Sequence, residues 1–227
     1  MHNSSVYIIV PAYNEQKVLL KTISALVTTA YSVVVVDDGS TTNLKECIKE
    51  LPVYFLRHQI NLGQGAALQT GNEFALKMGA KYIVHFDADG QHQISDIEKL
   101  LKPLLSMECD ITLGSRFLQQ QAKEIPVRKR AIIYVARYIN LLFTGILLSD
   151  AHNGLRAMNK KAADLLTLSE NRMSHASEIL FLIKKHKLKI LEIPVSILYT
   201  PYSKQKGQSI WNSIRILFDL LLHKLFQ

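Results

Sequence analysis

Asp87 and Asp89 stand two residues apart at the end of an apolar run, Tyr82 to Phe86. In extended backbone, residues spaced this way project from one face. Two carboxylates held together repel each other unless a cation bridges them. Hard oxygen donors suit Mg²⁺ or Mn²⁺, which commonly take one or two carboxylates plus the phosphates of a substrate. Gln91 adds a neutral oxygen, so Asp87, Asp89 and Gln91 are the candidate metal set. The plainer reading of the same residues is an Asx-turn closing a strand before Gly90.

Four more polar clusters follow short apolar runs. They are Pro11-Ala12-Tyr13-Asn14-Glu15, Asp37-Asp38-Gly39-Ser40, Asn61-Leu62-Gly63-Gln64-Gly65 and Gly114-Ser115-Arg116. One carboxylate of Asp37 and Asp38 suits a base or ribose hydroxyl, and capping a helix is the simpler role. Gly63 and Gly65 are expected just before a helix, where free N–H groups favour anions. This is not a dinucleotide fingerprint, because Leu68 stands where the last small residue belongs and the motif follows the third strand. The P-loop pattern is absent too.

The elements that must carry these clusters alternate. Strands are expected at Val6–Val10, Val33–Val36, Val53–Leu56, Tyr82–Phe86 and Ile111–Leu113, and helices at Gln16–Thr28, Ala66–Met78 and Ile94–Leu105. Strand-helix alternation predicts an α/β fold with a parallel sheet between helices. Ligands bind such sheets beyond the carboxyl ends of the strands, where all five clusters fall. Later come an apolar stretch from Ile125 to Leu148, a strand near Leu155–Met158, helices at Ala162–Leu168 and Glu178–His186, and a strand at Lys189–Val195. The expected layout is one domain over 1–209, with halves 1–116 and 117–209, and an amphipathic helix over 210–227.

The 227 residues carry 27 Lys and Arg against 19 Asp and Glu, a net charge of +8 that calls for an anionic partner. No helix-turn-helix, zinc-finger or single-strand-binding signature is present, so nucleic acid is set aside. Cys47 and Cys109 are too few for a disulfide framework and are read as free thiols in a reducing compartment. The first residues lack a signal-peptide pattern.

Taken in order, the motifs resemble those of family 2 glycosyltransferases of the GT-A fold, and most of all the polyprenyl-phosphate (dolichyl-phosphate type) mannose and glucose synthases. The residues that carry the likeness are Val10 to Glu15, Val36 to Ser40, Asn61-x-Gly63-x-Gly65-x-Ala67, Asp87 to Gln91, Gly114 to Arg116, and Asp150 to Ala157. The resemblance implies that Pro11, Tyr13, Glu15, Val36, Asp38 and Gly65 hold the base and ribose side of a nucleotide-sugar, and that Asp87, Ala88, Asp89 and Gln91 surround metal and diphosphate. It implies that Arg116 meets a phosphate, that Asp150, Asn153 and Arg156 line the sugar and acceptor side, and that the anomeric configuration inverts. A late loop of such synthases reads Arg-x-x-Gly-x-Ser-Lys. Here Lys204 replaces the Arg and Ile210 the final Lys, leaving Lys204 and Lys206 as candidate phosphate ligands.

The acceptor decides the remaining chemistry. A phosphate is largely a dianion at neutral pH and needs positioning more than a base, because its second pKa is about 6. A sugar hydroxyl needs a general base, for which Glu178 or Asp150 are the candidates. Transfer to a glycan hydroxyl, or a non-catalytic subunit that binds nucleotide or lipid phosphate, are the alternatives. No apolar run reaches the roughly 20 residues of a spanning helix. Ile210 to Phe226 reads as an amphipathic helix, packed on protein or lying in a headgroup region. Peripheral attachment to the cytoplasmic face of a membrane, with a small integral membrane partner or a second copy of the chain, is the expectation.

Overall fold

The structure is a computed structural model and describes residues 5–118, 141, 145–150, 153–169 and 175–198. The expected apolar stretch from Ile125, the loop with Lys204 and Lys206, and the terminal helix lie largely or wholly outside the described residues. The elements run β1 (Val6–Ala12), α1 (Gln16–Leu26), β2 (Ser32–Asp37), α2 (Leu44–Cys47), β3 (Tyr54–Arg57), α3 (Gln64–Lys77), β4 (Tyr82–His85), α4 (Ser95–Leu105), β5 (Ile111–Ser115), β6 (Arg156–Asn159), α5 (Lys160–Leu165), α6 (His175–Lys185) and β7 (Ile190–Pro194).

The strands make one seven-stranded sheet in the order β3-β2-β1-β4-β6-β5-β7. β1 pairs in parallel with both β2 and β4, and β5 in parallel with β7. β6 runs antiparallel to its neighbours β4 and β5. The sheet is therefore mostly parallel, as expected, with one reversed strand that alternation alone does not reveal.

β1 and β2 are buried along their whole length, which is why they read as unbroken apolar runs. Alternate residues serve two cores. Val33 and Val35 pack with Leu19, Ile23 and Leu26 of α1 and Leu100 and Leu104 of α4. Val34 and Val36 face the other way, with Ala67 and Leu68 of α3 and Ile179 and Ile183 of α6. α3 starts at Gln64, so Gly65 lies inside its first turn rather than before it, and Gly63 is the cap. The thiols of Cys47 and Cys109 are free, the first half-buried and the second buried.

Between β1 and β4 the chain direction of growth across the sheet reverses, and a crevice opens there beyond the strand tips. The antiparallel run of β6 has a consequence for that crevice. It brings the start of the strand, Arg156, opposite His85 near the tip of β4. Asn153 and Gly154 are thereby delivered to the same edge.

Candidate active site

Asp87 and Asp89 lie just past β4, in a turn whose Gly90 takes φ +73. The turn, not extended backbone, sets their directions. Asp87 Oδ1 accepts from the Gln64 side chain at 2.9 Å, and Oδ2 pairs with His92 Nε2 at 3.0 Å. Asp89 Oδ1 accepts the Gln91 backbone N–H at 3.0 Å, which is the Asx-turn, and Oδ2 accepts the Gln91 side chain at 2.7 Å.

The two carboxylates feel each other. Burial and then the charge of Asp87 push Asp89 above its ordinary range, against the Gln91 N–H and His92. Burial also opposes ionisation of Asp87, but the bond and charge of His92, with Arg156 and His175 behind it, outweigh that and hold it below the usual range. Such a pair fits a divalent cation, which relieves the repulsion. No group of three His, Cys, Asp or Glu poised to hold a metal occurs among the described residues. Two carboxylates would leave most positions of a divalent cation to water or ligand oxygens, as is common for Mg²⁺ and Mn²⁺.

Gly154 is required by this arrangement. A Cβ there would run into the Asp87 carboxylate. Asn153 is buried, its side chain donating to Asp150 Oδ2 at 3.4 Å and accepting from the Leu155 N–H at 3.0 Å. Arg156 is 4% exposed and donates to the carbonyls of Gly154 and Asn153, both at 3.3 Å. Among the described residues no carboxylate lies within ion-pair distance of it. Burial lowers its pKa to about 10, against the pull of Asp87. His85 beside it is held well below its ordinary value, by burial first and then by Arg156 and His175. His85 Nε2 meets Asn72 Oδ1 at 2.9 Å, while His85 Nδ1 and Asn72 Nδ2 are buried without a partner.

At the tip of β5, Arg116 is gripped by Asp150. Its Nε and Nη2 donate at 2.7 and 2.8 Å and its backbone N–H at 3.1 Å. Asp150 is itself fixed by Glu192 of β7, whose Oε1 accepts the N–H groups of Ser149 and Asp150 and the Ser149 hydroxyl. The expected phosphate contact of Arg116 thus starts from a guanidinium one-third exposed and already bidentate on a carboxylate.

The donor side is assembled around Asp38, which is 3% exposed. Its Oδ1 accepts the Leu62 N–H at 3.0 Å and pairs with His58 Nδ1 at 2.8 Å, and its Oδ2 accepts the Gly63 N–H at 2.7 Å. The anion position expected at the start of α3 is therefore taken, at Gly63, by a carboxylate of the protein itself. Asp37 Oδ1 accepts the Ser40 N–H at 2.9 Å. Gly39, at φ +70, lets the next loop approach, since a Cβ there would sit 2.5 Å from the Ile60 carbonyl carbon and 2.7 Å from the Asn61 nitrogen. Asn14 holds φ 56 and ties the tip of β1 to that of β2 by accepting the Thr41 N–H at 3.0 Å. Tyr13 is exposed, Glu15 is buried, and Pro11, Val36, Gly65 and Ala88 are buried beneath.

The strand tips therefore gather Tyr13, Asp38, Asp87, Asp89, Gln91, Arg116, Asp150, Asn153 and Arg156 on one edge. Glu178 has a different engagement, accepting the N–H and hydroxyl of Ser169 at 2.8 and 2.5 Å. Sequence reasoning missed His58, Gln64, His92 and Glu192. Gln64 stands inside a flagged cluster and His92 directly follows one, while His58 and Glu192 carried no signal.

The mostly parallel sheet thus carries a two-carboxylate turn beyond β4, at its switch point. The chain belongs to glycosyl transferase family 2, whose family model matches residues 7–166. It is a glycosyltransferase. It is 33% identical to the UDP-N-acetylglucosamine–dolichyl-phosphate N-acetylglucosaminyltransferase of Methanococcus voltae, over 99% of this chain and 98% of the relative. It is 29% identical to a dolichyl-phosphate beta-glucosyltransferase of Trichomonas vaginalis, over 98% and 74%. The fold resembles that of the Mycobacterium tuberculosis glucosyl-3-phosphoglycerate synthase solved with Mn²⁺ and UDP-glucose, with a TM-score of 0.64, 17% identity and coverage of 95% and 76%. This neighbour places the chain in the GT-A fold.

Proposed function

We propose that the protein transfers a sugar, with inversion, from a UDP- or GDP-sugar to a polyprenyl phosphate at a membrane surface. The observation that carries the reading is the coupled pair Asp87 and Asp89 at the switch point of the sheet, faced by Gly154 and backed by Arg156. Relatives named for dolichyl phosphate along nearly the whole chain support the acceptor class.

Asp87 and Asp89, with Gln91, would hold Mg²⁺ or Mn²⁺, which supplies positive charge against the leaving diphosphate. The chain's own residues do the rest. Tyr13, Pro11, Glu15 and the Asp38 loop frame the base and ribose. Arg156 adds a fixed buried charge behind Asp87, and preorganised charge of this kind stabilises a transition state at no cost of reorganisation. Arg116, oriented by Asp150, positions the attacking phosphate, which is already a dianion and needs no base. Asn153 shapes the sugar side. Lys204 and Lys206 are the further phosphate ligands of this reading. No helix among the described residues is long and apolar enough to cross a membrane. The basic chain, with its amphipathic sequence over 210–227, would dock on an anionic lipid surface.

The test is incubation of purified protein with radiolabelled UDP- and GDP-sugars, Mn²⁺ and polyprenyl phosphate, followed by lipid extraction. An acid-labile lipid carrying one sugar is expected. Label found only in polar glycan overturns the acceptor assignment.

A further inference from the structure

His58 lies between two elements and outside the motifs that define the site. Its Nδ1 is 2.8 Å from Asp38 Oδ1, and its Nε2 is 2.9 Å from Thr70 Oγ1 on α3. Its side chain is 11% exposed. A carboxylate only accepts, so Nδ1 carries the proton, and in the neutral ring Nε2 accepts from the Thr70 hydroxyl. Asp38 is the hub of this arrangement, because the same carboxylate takes the N–H groups of Leu62 and Gly63. The next residue, Gln64, donates to Asp87. One chain of short bonds thus runs from α3 through Thr70, His58 and Asp38 to the Gly63 loop, and from there to the metal-site carboxylate.

We propose that His58 is a positioning residue for donor binding: the Thr70–His58–Asp38 relay locks the loop over 62–64 so that Gln64 sets the orientation of Asp87. The proposal rests on the nucleotide-sugar reading above. Without His58, Asp38 keeps, among the described residues, only the backbone donors of Leu62 and Gly63, and its carboxylate is held less firmly. The loop amides then have a looser acceptor, and Gln64 a looser base. Thr70 is the counter-anchor, since it ties the ring to the body of α3, whose Ala67, Leu68 and Ala75 are buried in the core.

The test uses the full chain and His58→Leu, His58→Asn and Thr70→Val. An Asn amide reproduces the Nδ1 donor, so His58→Asn is the conservative rescue. Hydrogen exchange of the Leu62 and Gly63 amides is read without ligand, and Mn²⁺-dependent binding of UDP and GDP by calorimetry. For His58→Leu, faster exchange at both amides and nucleotide binding weaker by about tenfold are expected, the loss of one charge-assisted hydrogen bond. Donor KM should rise by a similar factor while acceptor KM stays within about twofold, since only the donor side is loosened. His58→Asn should restore most of both, and Thr70→Val should give a smaller loss in the same direction. A lowered melting temperature with unchanged nucleotide binding per folded molecule overturns the proposal. If His58→Leu does not fold, unchanged exchange and binding in Thr70→Val overturns it. Parent protein that binds neither nucleotide refutes the donor reading itself, and the proposal with it. Parent protein that binds while all variants match it refutes the proposal alone.

Discussion

Replacing Arg156 by Met separates what the fold needs from what the site needs. Arg156 is 4% exposed, and among the described residues its guanidinium donates to two carbonyls, each at 3.3 Å. Burial lowers its pKa well below the ordinary arginine value, to about 10. At 1.36 kcal/mol for each pH unit, that difference means the buried charge costs about 3 kcal/mol of folding stability at neutral pH. Met fills similar volume, and replacing a buried charge with an apolar side chain is often neutral or stabilising. Losing two long hydrogen bonds takes back about 1–2 kcal/mol. The net expectation is a variant more stable by about 1–2 kcal/mol in urea unfolding at pH 7.5, with transfer reduced about 10²-fold, the effect of one preorganised charge. The pH dependence checks the cause. Between the folded value of about 10 and the higher unfolded one, the unfolded state binds the extra proton, so the parent gains stability as pH rises. The advantage of the variant should therefore be constant below about pH 9 and shrink above pH 10. A variant less stable than the parent by 2 kcal/mol or more at pH 7.5 would refute the reasoning, because Arg156 would then be a keystone of the fold.

Asp89→Asn should raise the melting temperature at pH 7 in chelator while abolishing transfer. The folded pKa of Asp89 is raised, so its ionisation costs stability above that value and nothing below the unfolded one. Asp87→Asn should do the opposite to stability. The folded pKa of Asp87 is lowered, so its contribution is present above the unfolded value and disappears as pH falls through the folded one. Melting scans from pH 3 to 8 read both signs. Gly154→Ala should leave circular dichroism intact and reduce Mn²⁺-stimulated transfer by at least about tenfold, since its methyl displaces the Asp87 carboxylate. Glu192→Ala removes the acceptor of the Ser149 and Asp150 N–H groups. It should raise the KM for the acceptor more than that for the donor, measured with each substrate varied in turn.

The buried parallel strands were the most legible part of the chain. Val33 to Val36 sits under helices on both faces, so its composition carries no alternation and points to a central strand. β6 was harder. Arg156 at its head looks like a polar interruption, and direction in a sheet is set by pairing partners that a local run of residues does not name. α2 is four residues long and has no periodicity to detect. The Asp87 and Asp89 turn was legible because two close carboxylates after an apolar run are costly without a role. The grip of Asp38 on the glycine loop was not. It depends on Gly39 admitting the Ile60–Asn61 backbone, an approach between segments over twenty residues apart. His58 acts through partners 20 and 12 residues away and Glu192 through partners 43 and 42 residues away, so no spacing rule marks them.

The costs in this fold are concentrated at one edge. A guanidinium without a carboxylate, a raised Asp89, the orphaned Nδ1 of His85 and the orphaned Nδ2 of Asn72 all lie at or behind the tips of β4 and β6. The start of β1 and the middle of β2 carry no such burden and are apolar throughout. Each fully buried Val, Leu or Ile contributes about 1.5–3 kcal/mol, so two apolar layers can carry several such costs in a chain of this size. A sheet selected only for stability would fill the His85 and Arg156 positions, which face each other across β4 and β6, with a pair like Val84 and Ala157. Under the proposed function, two basic side chains there, with Arg156 two residues from the glycine packed on Asp87, suit a diphosphate arriving from outside. On that reading the substrate delivers the negative charge that no described carboxylate brings within ion-pair distance of Arg156, and the binding energy so released is available where the leaving group departs.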